Sequence, residues 1–280
     1  MKEFDYESYY KNREQKQTEL VEKAAEMKAF HLKEWIKGDT SNCVIAEVGT
    51  GPGDVLNSFQ GFKLKIGMDI SLEALQIHVN KYFNSPVELA KKNYDFEDLY
   101  NRSISRKEIL DNLEKRNLPK DKNLILIKTK PNFPIPFENK SIDYIILADI
   151  IEHVEDAVGF TKDAARVGRK LLLKIPVEKA LLMRIGYMLN GIKYGLNHPA
   201  GHLHCWNCRE VFKVLDLAGV NILGEKYVPS EYEFSEKKNF LKEIVFRLIS
   251  FLDSTFSTKD FLFSKLLLGG NLFVIGEEKE

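Results

Sequence analysis

The segment from Glu47 to Gly53 combines an acid with glycines at positions 49, 51 and 53. Glycine has no Cβ, so alternate glycines let the backbone turn sharply and let a ligand approach it closely. The amides of such a turn, together with the start of the next helix, favour a negatively charged group such as a carboxylate. Glu47 directly precedes the turn, where its side chain can accept a hydrogen bond from an ammonium.

A second acid, Asp69, ends the apolar run at 64–69. An acid at the end of a second strand is placed to accept both hydroxyls of a ribose, as in nucleotide-binding folds generally. Ile70 beside it can lie against an adenine face. Groups that bind a carboxylate, an ammonium, a ribose and an adenine together describe a site for an amino-acid nucleoside such as S-adenosylmethionine.

A nicotinamide-dependent dehydrogenase is the alternative that a glycine-rich turn raises. Its dinucleotide-binding pattern is G-x-G-x-x-G. Here Asp54 stands where that pattern requires the third glycine, and an acidic side chain is unfavourable beside a pyrophosphate. The acid-first turn followed by Asp69 therefore favours an amino-acid nucleoside, and an NAD-dependent dehydrogenase is the less favoured interpretation.

The elements that must position these residues alternate along the chain. Short apolar runs predict strands, and periodic segments between them predict helices, which is typical of a parallel sheet with helices on both faces. The predicted strands are 43–48, 64–69, 124–127, 141–148, 170–175, 220–227 and 271–276. A long excursion separates the last two strands, which predicts an antiparallel hairpin at the sheet edge. We therefore predict an α/β fold, a Rossmann-like doubly wound seven-stranded mixed sheet with a helical cap.

The whole chain, 1–280, is predicted to be a single domain. Its N-terminal helical segment, 1–38, is predicted to contain one amphipathic helix from about 7 to 37. Residues 84–121 are polar and helix-prone and are predicted to form a helical insertion, while 231–268 are predicted to form a helical cap insertion. The predicted cap is built from 84–121, 177–206 and 231–268.

The composition disfavours several classes of function. The 41 basic and 41 acidic residues give a net charge of zero, so the chain lacks the broad positive field that nucleic-acid binding usually needs. Three cysteines in a chain of this length do not indicate a disulfide framework. The first residues contain no apolar run typical of a secretory signal, and no stretch is apolar for long enough to span a membrane. These features predict a cytoplasmic protein.

Three blocks of the sequence resemble class I S-adenosylmethionine-dependent methyltransferases of the small-molecule type. They are Glu47 to Gly53, Gly67 to Ser71, and Pro136 to Asp156, in which the Pro-Phe and Glu-His-Val runs are the most specific pieces. The segment Gly201 to Trp206 also resembles this group, which includes the ubiquinone and biotin pathway methyltransferases. The resemblance covers about residues 40–228.

The resemblance implies S-adenosylmethionine as the cofactor and gives roles to individual residues. The residues implied at the methionine end are Glu47, Gly49, Thr50, Gly51 and Gly53. Asp69 and Ile70 are implied at the ribose and adenine, and Ala148 and Asp149 near the methionine or the substrate. The family usually carries an acid after the third strand for the adenine amino group. This chain has Lys128 to Asn132 there, so Asn132 or a backbone carbonyl is the expected substitute.

Catalysis of methyl transfer rests mainly on alignment and desolvation, with a general base only where the nucleophile must lose a proton. His153 and Asp149, just after the fourth predicted strand, are the catalytic candidates. The simpler interpretation is that His153 packs against a helix start and that Asp149 caps a helix. In the loop after the fifth strand, where the family builds its substrate wall, the substrate-binding candidates are His198, His202 and His204.

A metal site is not predicted. His202, His204, Cys205 and Cys208 offer four nitrogen and sulfur donors in one short segment, but paired zinc ligands usually come from two separated clusters. Tyr9 and Tyr10 are interpreted as surface aromatics rather than as residues that close over the cofactor.

The segment 240–263 is crowded with phenylalanine and other apolar residues. A core helix pair at the sheet edge is the simpler interpretation. The alternatives are a cap over an apolar acceptor, or a surface that contacts a membrane or a partner protein. The predicted reaction is methyl transfer from S-adenosylmethionine to a small or lipid-like acceptor. The alternative from another class is a catalytically inactive S-adenosylmethionine-binding partner protein.

Overall fold

The chain folds around a seven-stranded mixed sheet with the strand order β3-β2-β1-β4-β5-β7-β6. This computed structural model describes residues 5–14, 19–82, 103–114, 123–130, 134–229, 251 and 264–280. The strands are β1 (Val44–Val48), β2 (Leu64–Asp69), β3 (Leu124–Lys128), β4 (Ile142–Ala148), β5 (Gly168–Val177), β6 (Val220–Pro229) and β7 (Gly270–Glu278). The sequence prediction of a seven-stranded mixed α/β sheet is confirmed.

The strands β1 to β5 pair in parallel, and β7 runs antiparallel between β5 and β6. The predicted edge hairpin is therefore present, with its second strand inserted next to the parallel part of the sheet. The described helices are α1 (Tyr6–Glu14), α2 (Glu19–Lys33), α3 (Asp54–Ser58), α4 (Leu72–Tyr82), α5 (Arg106–Glu114), α6 (Ala157–Val167), α7 (Leu181–Leu189) and α8 (Cys208–Leu217). No helix within the described ranges is long and apolar enough to cross a membrane.

The central strand β1 is buried along its whole length, because helices cover both faces of the sheet. Its alternate side chains contribute to two separate cores. Val44 and Ala46 pack in the core that also contains side chains of α5, α6 and α8. Ile45 packs in the opposite core, with side chains of α2, α3 and α4. Strands buried on both faces give the near-continuous apolar runs on which the sequence prediction depended.

The described residues cover the three predicted helical segments to different extents. Within 1–38 the structure describes α1 and α2, which lie on either side of 15–18, a stretch outside the described residues. Within 84–121 it describes α5, and the rest of that predicted insertion lies outside the described residues, apart from 103–105. The predicted cap insertion 231–268 also lies outside them, apart from Phe251 and a single π-helical turn at Ser264–Leu268.

The helix α8 begins with a reciprocal cap that closes the loop after β5. The Asn207 side chain accepts a hydrogen bond from the amide of Glu210 at 3.0 Å, and the Glu210 carboxylate accepts one from the amide of Asn207 at 3.0 Å. This capping box satisfies two amide donors that a helix start otherwise leaves without partners.

We expect Asn207→Ala to lower the free energy of unfolding by about 1 kcal/mol, because the cap of α8 loses its acceptor. Urea denaturation followed by circular dichroism measures the change. Asn207→Asp is the matched control, since aspartate is also a good N-cap acceptor, and it should lower stability less. Equal losses in the two variants would contradict this role of Asn207.

Candidate functional site

The carboxyl ends of β1 and β2 meet at a turn that only glycines can follow. Gly49, Gly51 and Gly53 have φ values of 74°, 51° and 83°, a left-handed region that side chains with a Cβ rarely adopt. Space is also restricted: a Cβ on Gly53 would lie 2.2 Å from the ring of the fully buried His78, and one on Gly49 would lie 2.7 Å from the side chain of Ile150.

The amides of this turn are used inside the protein. Those of Gly49 and Thr50 donate to the carbonyl of Met68 at 2.8 and 2.9 Å, and that of Gly53 donates to the carbonyl of Thr50 at 2.9 Å. The amide of Gly51 donates to Asp69 at 2.8 Å. The amides of Gly49, Thr50, Gly51 and Gly53 are therefore not free for a carboxylate as expected, and those of Gly49, Thr50 and Gly51 fix the turn to β2.

Glu47, the last acid of β1, is buried beneath the turn. Its Oε2 accepts hydrogen bonds from the Thr50 hydroxyl and from the Leu56 amide, both at 3.1 Å. Burial raises the pKa of Glu47 to about 8, against the lowering effect of the Thr50 hydroxyl. The side chain is therefore mostly protonated at neutral pH and is ready to ionise beside a cation.

Asp69 occupies the tip of β2 and is also buried. Its two carboxylate oxygens each accept one amide hydrogen bond at 2.8 Å, Oδ2 from Gly51 and Oδ1 from Ser71. The amide of Ile70 also lowers the pKa of Asp69 through a hydrogen bond, and the lone pairs that these amides leave over can accept from a hydroxyl. Burial raises the pKa of Asp69 to about 6, so the group is largely ionised at neutral pH.

The helix α1 lies over this end of the sheet. The Glu7 carboxylate accepts hydrogen bonds from the Ser71 hydroxyl at 2.8 Å and from the amides of Leu72 and Glu73 at 2.9 Å, which docks α1 on the start of α4. The Tyr10 hydroxyl lies 3.1 Å from the point where a Cβ on Gly51 would stand.

Tyr6 extends the cover of α1 towards the end of β4. Burial raises the pKa of Tyr6 to about 12, with contributions from the negative charges of Asp69 and Glu152. Its ring also packs edge-on against His153, with centroids 6.2 Å apart. Tyr6 thus faces acids from two different strand ends. The interpretation of Tyr10 as a scattered surface aromatic was wrong, because a charged N-terminal helix gave no sign that it folds back over the turn.

Asp149, which follows β4, is held by two lysines. It has a φ of 54°, and its carboxylate pairs with Lys174 of β5 and, at 2.6 Å, with Lys28 of α2. Burial alone raises the pKa of Asp149, but the two ammonium groups hold it well below its usual range. A carboxylate in this state is a weak base, so the geometry favours a positioning role. Ala148 precedes it as the last residue of β4 and is buried, while Ile70 is half-buried after Asp69.

A second group of side chains lies beyond β4, around the short 3-10 turn at Ile151–His153. The His153 and His202 rings pack edge-on with centroids 4.8 Å apart, and the His198 and His202 rings stack at 4.3 Å. The Glu152 carboxylate is almost fully buried, and the Glu152 carbonyl holds the loop by accepting from the amides of Leu203 and His204 at 2.9 and 3.2 Å.

Glu178, which follows β5, orients this histidine group. One of its carboxylate oxygens lies 2.8 Å from His202 Nδ1 and accepts a hydrogen bond from the Tyr194 hydroxyl at 3.2 Å. Burial lowers the pKa of His153 to about 4, and the nearby His202 adds to the effect, so His153 is neutral at pH 7.

The structure brings His153, His198 and His202 together but leaves His204 outside the group. His204 Nε2 lies 2.8 Å from the carbonyl of Val154, and its ring stacks on Trp206. Asn132, predicted at the adenine, lies outside the described residues. Sequence reasoning missed Glu152, Glu178 and Glu7. For Glu152 the only signal was its place in the Glu-His-Val run.

An open groove of about 290 Å³ adjoins the histidine group. Its lining is mainly apolar and comes from α7 and the following turn: Arg184, Tyr187, Met188, Gly191, Ile192, Lys193 and Tyr194. Tyr187 and Tyr194 both contact His198, so two side chains of the groove wall pack against the histidine group. None of the α7 side chains is buried, and Met188 and Leu189 are more than two-thirds exposed, at 71% and 76%.

No protein-family model matches this chain, and no curated protein matches it in sequence. Among solved structures it is similar to a chain from the complex between the Haloferax volcanii Trm112 methyltransferase activator and a protein described as a methyltransferase. The identity is 12%, the TM-score is 0.57, and the match covers 99% of this chain and 98% of that chain.

Two further solved structures are similar. One is a Bacillus halodurans protein described as a methyltransferase, at 14% identity and a TM-score of 0.51, covering 90% of this chain and 99% of that chain. The other is SpnF, named as a [4+2]-cyclase, at 12% identity and a TM-score of 0.53, covering 91% and 81%. At these identities the similarity shows the fold, which is the fold of class I methyltransferases. Because a cyclase shares it, the fold alone does not determine the reaction.

We expect Gly53→Ala to lower the free energy of unfolding by about 2–4 kcal/mol, from backbone strain and from the clash with His78. Gly38→Ala is the matched control, because Gly38 has a φ of 82° but nothing within 4 Å of a Cβ. It should lower stability by only about 1–2 kcal/mol. Chemical denaturation of both variants gives the difference, and equal losses would show that His78 does not restrict the turn.

Proposed function

We propose that this chain, which has the fold of class I methyltransferases, is an S-adenosylmethionine-dependent methyltransferase that acts on a small or lipid-like acceptor. The observation that carries the proposal is the arrangement at the ends of β1 and β2. A buried acid, Glu47, precedes a turn with three left-handed glycines, and a buried Asp69 is fixed to that turn by the Gly51 amide.

The residues at this edge fit the cofactor in chemical type. In the described part of the chain, Glu47 uses Oε2 for both of its hydrogen bonds, and so its Oε1 can accept from the ammonium. Asp69 is a hydrogen-bond acceptor, as the ribose hydroxyls require. Tyr10 lies over Gly51 in the structure, and once α1 moves aside the absence of a Cβ at Gly51 allows close approach of the nucleoside. Ile70 packs against the adenine, and Asn132 or a backbone carbonyl receives its amino group.

Water exclusion is the role that we assign to α1. Tyr10 lies over Gly51, and Tyr6 faces Asp69 and Glu152, so this helix covers the region between the ends of β2 and β4. Cofactor binding then requires α1 to move aside and close again. Closure excludes water from the reacting groups, which strengthens every electrostatic interaction within the site.

When bound, the cofactor supplies an electrophilic methyl group, and the protein must align a nucleophile with it. Asp149, fixed by Lys28 and Lys174, is a positioning residue at the end of β4. The pKa of His153 is lowered to about 4, so it is too weak a base to take a proton at pH 7, and its neutral ring contacts the acceptor instead. His198 and His202 line the acceptor side of the site, while His204 supports the loop.

The groove beside α7 supports an acceptor that is small or partly apolar. Tyr187 and Tyr194 join the groove to His198, and Met188 gives its wall an apolar surface. The segment 240–263, with which we associated a membrane or partner contact, lies outside the described residues, apart from an exposed Phe251. The acceptor proposal therefore depends on the groove.

We expect the wild-type protein to bind S-adenosylmethionine and S-adenosylhomocysteine with dissociation constants on the order of micromolar, and NAD at least 100-fold more weakly. Isothermal titration calorimetry measures all three. Asp69→Ala should weaken binding of the first two by more than tenfold, because the ribose hydroxyls lose their acceptors. Gly51→Arg should abolish it.

Asp39→Ala is the control for Asp69→Ala, because Asp39 is an exposed acid before the start of β1, at the opposite end of the strand. It should bind both nucleosides as the wild type does. Tighter binding of NAD than of S-adenosylmethionine would replace the proposal with a dehydrogenase. Tight nucleoside binding with no methylated product from any acceptor would indicate a non-catalytic binding protein.

Cofactor binding should release a proton at mildly acid pH. The pKa of Glu47 is about 8 before binding, so at pH 6.5 the side chain is protonated and must ionise to pair with the ammonium. Affinity should therefore rise with pH from about 5.5 to about 8, above which the side chain is ionised without the cofactor. Calorimetry at pH 6.5 in buffers of different ionisation enthalpy should show release of about one proton per cofactor.

The control for proton release is Glu47→Gln, which keeps an acceptor oxygen but cannot ionise. Its binding enthalpy should not depend on the buffer. If the wild type shows no buffer dependence either, Glu47 does not pair with the ammonium, and the methionine end must be assigned to other residues.

A further inference from the structure

We propose that Glu152, His153 and His202 form a binding site for a divalent first-row transition metal ion. One donor atom from each of the three side chains lies within 4.8 Å of the other two. Two imidazole nitrogens and one carboxylate oxygen are a donor set that suits zinc or ferrous iron, with coordination positions left open. The inference goes beyond the proposed function and does not depend on it, because the ends of β1 and β2 contribute no donor.

The observation that points to a ligand is the state of the Glu152 carboxylate. Glu152 is 1% exposed, and neither carboxylate oxygen has a hydrogen-bond partner among the described residues. Burying an ionisable group without partners is costly in free energy, and such groups in proteins are usually paired or coordinate a metal. A cation between Glu152 and the two histidines removes this cost.

The two histidines are held in a suitable way for coordination. His202 Nδ1 contacts the Glu178 carboxylate at 2.8 Å, which leaves His202 Nε2 for a metal. His153 Nδ1 lies 3.3 Å from the carbonyl of Gly201, which leaves its Nε2 in the same way. A carboxylate or carbonyl on the second ring nitrogen is the usual support of a metal-binding histidine, because it fixes the tautomer and the ring orientation.

A neighbouring set, Glu178, His198 and His202, also places three donors within 4.8 Å. Its carboxylate is already engaged, because one Glu178 oxygen contacts His202 and accepts from the Tyr194 hydroxyl. His198 Nδ1 also accepts from the His202 amide at 3.3 Å. We therefore assign the metal to Glu152, His153 and His202. Glu178 orients the His202 ring through the contact with Nδ1.

The charges near the site also fit a divalent cation. Glu152 and Glu178 bring two carboxylates to the group, while Asp149 is already balanced by Lys28 and Lys174. Magnesium and calcium prefer all-oxygen ligand sets, so they should bind weakly at a site with two imidazoles. The open positions of a three-ligand ion can take water or an oxygen atom of an acceptor.

The test is a titration of the full chain, freed of metal with a chelator, with Co²⁺ and Zn²⁺ in the absence of S-adenosylmethionine. We expect one Co²⁺ per chain with a visible spectrum typical of nitrogen and oxygen ligands, and its displacement by Zn²⁺. Mg²⁺ should not compete. No Co²⁺ binding tighter than about 1 mM, the range of weak adventitious contacts, would overturn the proposal. A strong thiolate-to-cobalt band would also overturn it, since it would assign the ion to cysteines.

Two variants and one control locate the ion. Glu152→Gln and His202→Ala should each weaken Co²⁺ binding by at least about tenfold. His204→Ala is the matched control, because His204 lies in the same loop but contacts Val154 and Trp206 instead. It should bind Co²⁺ as the wild type does. Unchanged affinity in Glu152→Gln would overturn the proposal.

A crystal of the wild-type chain grown with Zn²⁺ avoids any effect of substitution on folding. An anomalous peak between Glu152, His153 and His202 supports the site, and a peak elsewhere, or none, refutes it. S-adenosylmethionine binding is measured separately on the metal-free chain. Failure of the metal site and failure of the proposed cofactor site are therefore distinguishable.

Discussion

The backbone path between Gly49 and Gly53 is the constraint on which this edge of the molecule depends. The turn has no room for a Cβ at Gly53, where His78 fills the space beneath it, and its amides are committed to the carbonyl of Met68 and to Asp69. The turn therefore joins the ends of two neighbouring strands through main-chain hydrogen bonds. A single fixed geometry positions Glu47 below the turn and Asp69 beside it.

Four buried or half-buried acids lie near these strand ends, and their surroundings give them different properties. Asp149 stays ionised because two ammonium groups surround it, whereas burial raises the pKa of Glu47 and of Asp69 by different amounts. Burial also raises the pKa of Glu152, and the negative charge of Asp149 adds to the effect. This edge of the sheet thus carries a permanent charge, a titratable pair and the carboxyl group of Glu152, which has no hydrogen-bond partner in the described part of the chain. Such separation of pKa values is typical of functional sites.

The sequence predicted the sheet and the glycine turn well, because both leave local signals. Apolar runs that end at glycines mark buried parallel strands, and an acid placed before the turn or after the second strand is visible within a few residues. The histidine group was predicted only in part, since His153 and the loop histidines were assigned separate roles. Their contact, and the placement of Glu178 behind His202, arise from chain segments far apart in sequence. Periodicity carries no information about such contacts. Similarly, Glu7 and Tyr6 belong to a charged helix whose pattern is typical of a solvated surface.

The docking of α1 through Glu7 has a consequence for how this protein can change over evolutionary time. Two of its three hydrogen-bond partners are the amides of Leu72 and Glu73 at the start of α4, and only Ser71, just before that helix, contributes a side chain. Side chains at positions 72 and 73 are therefore free to diverge without loosening the cover. We expect relatives to keep an acid at position 7 and a helix start at position 71, while the other residues of α1 and α4 vary. A homologue search based on residue identity would miss such a relationship, and one based on the placement of helix starts would find it.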